Sequence, residues 1–194
     1  MTTSRQAATT HRDRIIAAAA RTTSEAGWSA VTMARLASEA GVSRQTVYNE
    51  IGGKDALAEA MILAELQRFL GVVEQAFDDH PDDLVAGIAS ATYAVLELAR
   101  ENTLVREIAS ATHGASTELL PLLTTHSESL LATAKATVAQ RFGAYDLAIA
   151  PDRADALVDL VVRTVLSHVM QPTSTSRRTA DGLAWLAGRV IGAR

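Results

Sequence analysis

Arg44, Gln45, Thr46, Tyr48 and Asn49 sit almost side by side in a chain that is 48% apolar. Their chemistry suits a nucleic-acid duplex. Arg makes paired hydrogen bonds to guanine, Gln to adenine, and Thr touches a thymine methyl or a phosphate. Tyr48 and Asn49, with Lys54 just beyond them, suit phosphate oxygens, which fix position without reading sequence. Catalytic alternatives are weak. The chain has no cysteine, which removes disulfides and thiolate chemistry. Its five histidines, at 11, 80, 113, 126 and 168, are never three or four residues apart. There is no phosphate-cradling glycine loop and no nucleophile elbow. His80, Asp82 and Asp83 read as a solvated turn before they read as a metal site. No enzyme activity, cofactor or metal is expected.

The elements around these residues can be read from caps and breaks. A first helix spans "HRDRIIAAAARTTSEAG", with Ile15, Ile16 and Ala19 at helical spacing and Gly27 as its stop. Trp28 packs beneath it. Thr32 caps a second, short helix that buries Leu36 and Ala37 and ends at Gly41. Ser43 caps a third helix running to about Asn49, and Gly52 and Gly53 break it. Two short helices joined by Gly41-Val42-Ser43 form a helix-turn-helix. Gly41 supplies the positive φ that the turn needs, and small Ala37 lets the helices approach. The second helix of such a motif lies in a major groove with its N-terminal residues toward the bases. Thr32, Ser43, Arg44, Gln45, Thr46, Tyr48, Asn49 and Lys54 are therefore the expected DNA-contacting residues. The start of the next helix adds backbone N–H groups that favour an anion.

The remainder is helical in pattern. Apolar residues recur at helical intervals over 55–78 and 82–100, with "DDHPDD" as the turn between. Further helices are expected over 103–111, 117–142, 152–170 and 175–192. No alternating run reads as a strand, so the fold class is all-α with about nine helices. A mobile arm over 1–10, a helix-turn-helix domain over 11–54 and a helical body over 55–194 are expected. Net charge is −4, but residues 1–57 carry seven Lys or Arg against five Asp or Glu, and 58–194 carry eleven against seventeen. A basic head is set on an acidic body that must face away from phosphates. No leader peptide and no run of about 18 apolar residues is visible, so a membrane span is not expected and a reducing cytoplasm suits the chain.

Residues 11–57 resemble the DNA-binding head of the TetR family of transcriptional regulators. The shared pattern is Ile15-Ile16, Ala18-Ala19, Gly27-Trp28, Thr32 and Leu36-Ala37, continued by Ala40-Gly41-Val42-Ser43, Thr46, Val47-Tyr48 and Lys54-Asp55-Ala56-Leu57. The chain departs from it at several places. Glu50 and Ile51 replace a polar residue and Phe, Gly53 replaces a Ser or Thr cap, and Thr22 and Thr23 replace larger apolar residues. A carboxylate at Glu50 is expected to repel phosphate. The resemblance implies a helical regulatory domain that holds a small molecule and dimerises.

The body itself carries no strong motif. Candidate pocket-lining residues are Met61, Leu66, Phe69, Leu70, Ile88, Tyr93, Leu96, Ile108, His113, Leu122 and His126, with Leu119 and Leu123 beside them. A mostly aliphatic lining points to an apolar or amphipathic effector, anchored by Tyr93, His113 or His126. The last two helices are apolar over a wide arc. Leu157, Val161, Val165, Leu183, Leu186 and Val190 are therefore expected at a homodimer interface, the alternative being burial within one chain. The expected function is a ligand-responsive regulator, a repressor that binds a near-palindromic double-stranded operator as a dimer. The competing expectation is a helical protein-interaction module that keeps the motif but has lost DNA binding.

Overall fold

The computed structural model describes residues 10–106, 120–147 and 149–192, with backbone alone for 120–127. Among these residues there is no strand, and eight α-helices with one 3-10 turn carry the fold. The chain divides into two compact units, residues 1–65 and 66–194.

The first unit holds α1 (His11–Ala26), the 3-10 turn Trp28–Ala30, α2 (Met33–Ala40), α3 (Arg44–Ile51) and the first part of α4 (Lys54–Asp78). Thr10, placed in the arm by sequence, instead caps α1. Its hydroxyl accepts from the Asp13 N–H at 3.1 Å, and the Asp13 carboxylate accepts from the Thr10 N–H at 3.0 Å. These bonds satisfy two of the donors that a helix start leaves open and hold the Asp13 carboxyl below its ordinary pKa. The core gathers one face from each helix. Ile15, Ala18 and Ala19 of α1, Leu36 and Ala37 of α2, Val47 and Ile51 of α3, and Leu57, Ala58 and Met61 of α4 are buried, with Trp28.

The second unit holds the rest of α4, α5 (Leu84–Glu101), α6 (Leu120–Phe142), α7 (Pro151–Met170) and α8 (Ser176–Gly192). Residues 103–106 form a further helical turn, started by Asn102, whose side-chain oxygen accepts from the Val105 N–H at 3.0 Å. The core runs through Val73 and Phe77 of α4, Leu84, Ile88 and Val95 of α5, Val138 and Phe142 of α6, Leu157, Val158, Val161 and Val162 of α7, and Leu183 and Ala187 of α8. Phe77 meets Phe142 and Tyr145 edge-on, with ring centroids 6.0 and 6.4 Å apart. The Tyr145 hydroxyl donates to the His80 carbonyl at 2.7 Å, which fastens the end of α6 to the α4–α5 turn. Asp83 of that same turn caps α5, accepting from the Ala86 N–H at 2.9 Å. No helix among the described residues is long and apolar enough to cross a membrane.

Candidate nucleic-acid interface

The reading helix is held from both ends and from behind. Gly41 stands in the left-handed region, φ 64° and ψ 41°, where a side chain costs energy. The turn it permits lets the Val42 N–H donate to the Ala37 carbonyl at 2.9 Å. Thr32 caps α2 by accepting from the Arg35 N–H at 3.2 Å. Ser43 caps α3 by accepting from the Thr46 N–H at 3.0 Å, and the two hydroxyls lie 2.9 Å apart. Substituting such a cap by Ala costs about 0.5–2 kcal/mol. Gly52, φ 92°, ends α3 with its N–H on the Tyr48 carbonyl. Val47 and Ile51 are buried, and Arg44, Gln45, Tyr48, Asn49 and Glu50 are exposed. The buried side of α3 therefore seats the helix while the polar side stays open.

Several expected contact residues turn out to have local partners. Thr32 and Ser43 work first as caps, and the Thr46 hydroxyl is engaged with that of Ser43. Gln45 donates through Nε2 to Asn49 Oδ1 at 2.9 Å. The Lys54 ammonium lies 5.2 Å from the centroid of the Trp28 ring, a cation–π contact that ties the start of α4 to the 3-10 turn. The side chains of Arg44 and Tyr48 make no hydrogen bond or ion pair with another described residue, so both remain available to a ligand.

Four supports went unseen in the sequence. The Arg12 guanidinium of α1 donates to the Glu50 carbonyl. It satisfies an orphan acceptor at the C-terminal end of α3, where the helix dipole favours a cation. Thr22 and Thr23, which replace apolar residues, are buried with their hydroxyls occupied. Thr23 donates to the Ala19 carbonyl at 2.8 Å, and Thr22 to the Glu39 carboxylate at 3.2 Å. Arg35 in turn donates to Glu39 at 2.7 Å, and this hydrogen bond, foremost, lowers the Glu39 pKa. The Arg35-to-Glu39 step of four residues is a helical pair that spacing alone could have revealed. The Arg12–Glu50 contact joins residues distant in sequence, and no local pattern announces it.

The described members of the expected pocket take different positions. Met61, Leu70 and Ile88 are buried core side chains, while Leu66 and Phe69 are half-buried. Tyr93, expected to point inward as an anchor, is exposed on α5 with the Arg177 guanidinium 4.7 Å from its ring centroid. Its helical position faces the surface rather than the interior. Ile108, His113, Leu119, Leu122, Leu123 and His126 lie outside the described side chains. Among the described members of the expected set, Leu96 alone lines a cavity of about 500 Å³ in the second unit. That cavity lies between the ends of α5 and α7, the 103–106 turn and the first turn of α8. Val105, Val169 and Met170 supply apolar wall, with Arg100, Arg106 and His168 among its polar groups. The missed residues come from helix ends and the α7–α8 connection, where helical periodicity carries no signal.

The expected dimer residues divide. Leu157, Val161 and Leu183 are buried in the core of the single chain, 3, 7 and 6% exposed, so the burial alternative holds for them. Val165, Leu186 and Val190 are half-buried. Large apolar side chains are left open instead at Leu160, Leu166 and Trp185 on the same two helices, with Trp185 64% exposed. An apolar arc wider than one core-facing stripe has an inner and an outer edge, and the sequence reading took residues from the inner edge.

The comparisons with known proteins follow this division of the chain. Residues 15–61 match the family model described as bacterial regulatory proteins, tetR family. Residues 83–189, more than half of the chain, match that of the bacterial tetracyclin repressor C-terminal domain. The chain is 31% identical over 159 residues to the HTH-type transcriptional regulator AlkX of Mycobacterium tuberculosis (strain ATCC 25618 / H37Rv), spanning 82% of this chain and 74% of that protein. It is 37% identical over 94 residues to the HTH-type transcriptional regulator BetI of Brucella abortus (strain 2308), 46% of each. Among solved structures, the TetR family repressor AlkX from Dietzia sp. strain DQ12-45-1b superposes with a TM-score of 0.74 at 24% identity, over 92% of this chain and 96% of that one.

Proposed function

The chain belongs to the TetR family, DNA-binding transcriptional regulators that respond to small molecules, and on that premise we propose that it is a cytoplasmic repressor acting on a near-palindromic operator. The observation that carries the reading is the exposed face of α3. Behind it Val47 and Ile51 are buried, in front Arg44 and Tyr48 are unengaged, and the helix start is fixed by Ser43 and Gly41. One such helix reads few base pairs. Two copies in a twofold dimer read two half-sites roughly 34 Å apart. The open side chains Leu160, Leu166 and Trp185, with half-buried Val165, Leu186 and Val190, offer α7 and α8 as the surface on which two chains pair. In this reading an arm over 1–10 precedes a helix-turn-helix head over 11–54 and a regulatory and dimerisation body over 55–194, while the boundary of the compact units falls between 65 and 66.

The effector in this reading is an apolar or amphipathic small molecule held in the second unit. Its volume of about 500 Å³ places the α5–α7–α8 cavity within the roughly 300–1,000 Å³ of drug-sized ligand sites. The likeness to AlkX suits an apolar chain, since the Dietzia protein is implicated in biodegradation of n-alkanes. Release of the operator requires that the effector bind the released arrangement more tightly than the DNA-bound one. α4 contributes residues to both units and is the element through which such a difference would pass.

Selection of bound duplexes from a random pool tests the reading, followed by a salt titration of the selected sequence. A palindromic consensus and a steep fall of affinity with salt are expected. Arg44→Ala should relax the preference at one base pair of each half-site, and Lys54→Ala should weaken all duplexes alike. A pool that yields no consensus, or affinity insensitive to salt, refutes the operator reading in favour of an interaction module that has lost DNA binding.

A further inference from the structure

Gln45 and Asn49 lie one turn apart on α3, and their carboxamides are joined by the 2.9 Å bond from Gln45 Nε2 to Asn49 Oδ1. Each residue advances a helix by about 100°. On that wheel the direction opposite the buried pair Val47 and Ile51 falls on Asn49, with Gln45 about 40° to one side. Asn49 is thus central on the open face, where bases would lie, rather than on the flank where a phosphate would.

We propose that Asn49 is a positioning residue that sets the Gln45 carboxamide as an adenine reader, rather than a phosphate contact in its own right. A primary amide has two N–H donors and one carbonyl acceptor. Gln45 gives one N–H to Asn49 and keeps one donor beside one acceptor. That pairing matches adenine in the major groove, whose N7 accepts and whose N6 amino group donates. Without Asn49 the Gln45 side chain is free to rotate about its χ angles, and the open amide can present either end to a base. Holding it in one rotamer before binding removes part of the ordering cost, about 0.5–1.5 kcal/mol per flexible side chain, or roughly two- to tenfold. Asn49 also lies on the exposed surface, so its replacement leaves the core of the head untouched.

This inference rests on the operator reading above, and its test separates the two. Full-length wild type is first used to select duplexes from a random pool. Affinities are then measured by fluorescence anisotropy for the selected duplex, for one with the Gln45-dependent adenine replaced by guanine, and for one carrying 7-deazaadenine there. Gln45→Ala should abolish the discrimination among the three. Asn49→Ala should reduce it roughly two- to tenfold, and should add nothing in the Gln45→Ala background. Asn49→Asp keeps the acceptor and should keep the discrimination ratio, while its charge lowers affinity for every duplex. An unchanged ratio in Asn49→Ala, with affinity for all duplexes either equally reduced or unaltered, overturns the positioning role alone. Failure of the wild type to select any sequence overturns the operator reading, and the positioning role with it.

Discussion

Gly87→Ala is the substitution whose outcome the structure decides most sharply. Gly87 lies inside α5, where Ala normally gains about 0.8–1.0 kcal/mol over Gly in helix propensity. A Cβ built there falls 2.7 and 3.0 Å from two carbons of the Phe77 ring and 3.5 Å from the Tyr145 hydroxyl. Carbon atoms in contact sit about 3.5–4.0 Å apart, so the ring must move by roughly 1 Å. It has nowhere easy to go. Phe77 is buried between Phe142 and Tyr145, and Tyr145 is held by the His80 carbonyl. Overpacking of this kind costs about 1–3 kcal/mol, which offsets the propensity gain and leaves a net loss of about 0–2 kcal/mol. At about 2–4 °C per kcal/mol, thermal unfolding followed by circular dichroism should show Tm lower by a few degrees. The cycle with Phe77→Val makes the reasoning refutable. Val ends at Cγ and so lacks both ring carbons that the new Cβ meets, and Gly87→Ala in that background should be neutral or stabilising by up to about 1 kcal/mol. A higher Tm for Gly87→Ala in the wild-type background, or the same shift in both backgrounds, would refute the steric account.

Arg12→Ala should weaken binding to every duplex and lower Tm modestly, because it uncovers the Glu50 carbonyl and removes a cation from the end of α3; the cost at such an exposed site is about 0.5–1 kcal/mol, measured by anisotropy and thermal melts. Glu50→Gln should raise affinity for all duplexes without altering base preference and should leave the salt dependence at least as steep, which a titration across salt concentrations checks. Asp159 gives a pH signature. Lys135 first, then Arg163, hold its carboxyl below the ordinary value of 3.8, so the folded state gains stability above that value and loses it as pH falls through the lower folded pKa. Asp159→Asn should therefore flatten the acid limb of Tm against pH and leave the neutral limb parallel to wild type.

The head was legible because its signals are local. Thr32, Gly41 and Ser43 act within a few residues of themselves, through a cap, a positive φ and a cap, so the sequence places α2 and α3 correctly within two residues. The body was legible only as helices. Which side of an apolar helix meets the core depends on the other helices, and periodicity cannot tell the inner edge of a wide arc from the outer. Leu157 and Leu183 were thus read as interface while Leu160 and Trp185 went unremarked. Tyr93, expected as an anchor, lies exposed on α5 for the same reason. A cavity formed by chain ends, such as that beside Met170 and Thr175, is a product of how helices terminate against one another and leaves no periodic trace.

Glu50 is the residue at which local reading and three-dimensional structure diverge most. Taken alone, a carboxylate in the last turn of a reading helix is unfavourable twice, repelled by phosphate and by the negative end of the helix dipole. Arg12 changes that balance. It brings a guanidinium from α1 to the backbone carbonyl of Glu50 itself, so the end of α3 carries a cation beside the anion. The exposed carboxylate should then lower affinity without removing the anchoring of the helix. If α3 reads bases, the side chains best placed for it lie toward its start, where Ser43 and Thr46 fix the first turn, the Arg44 side chain is unengaged and Gln45 hydrogen-bonds Asn49. A helix capped tightly at its start and only neutralised at its end should read bases with its first half.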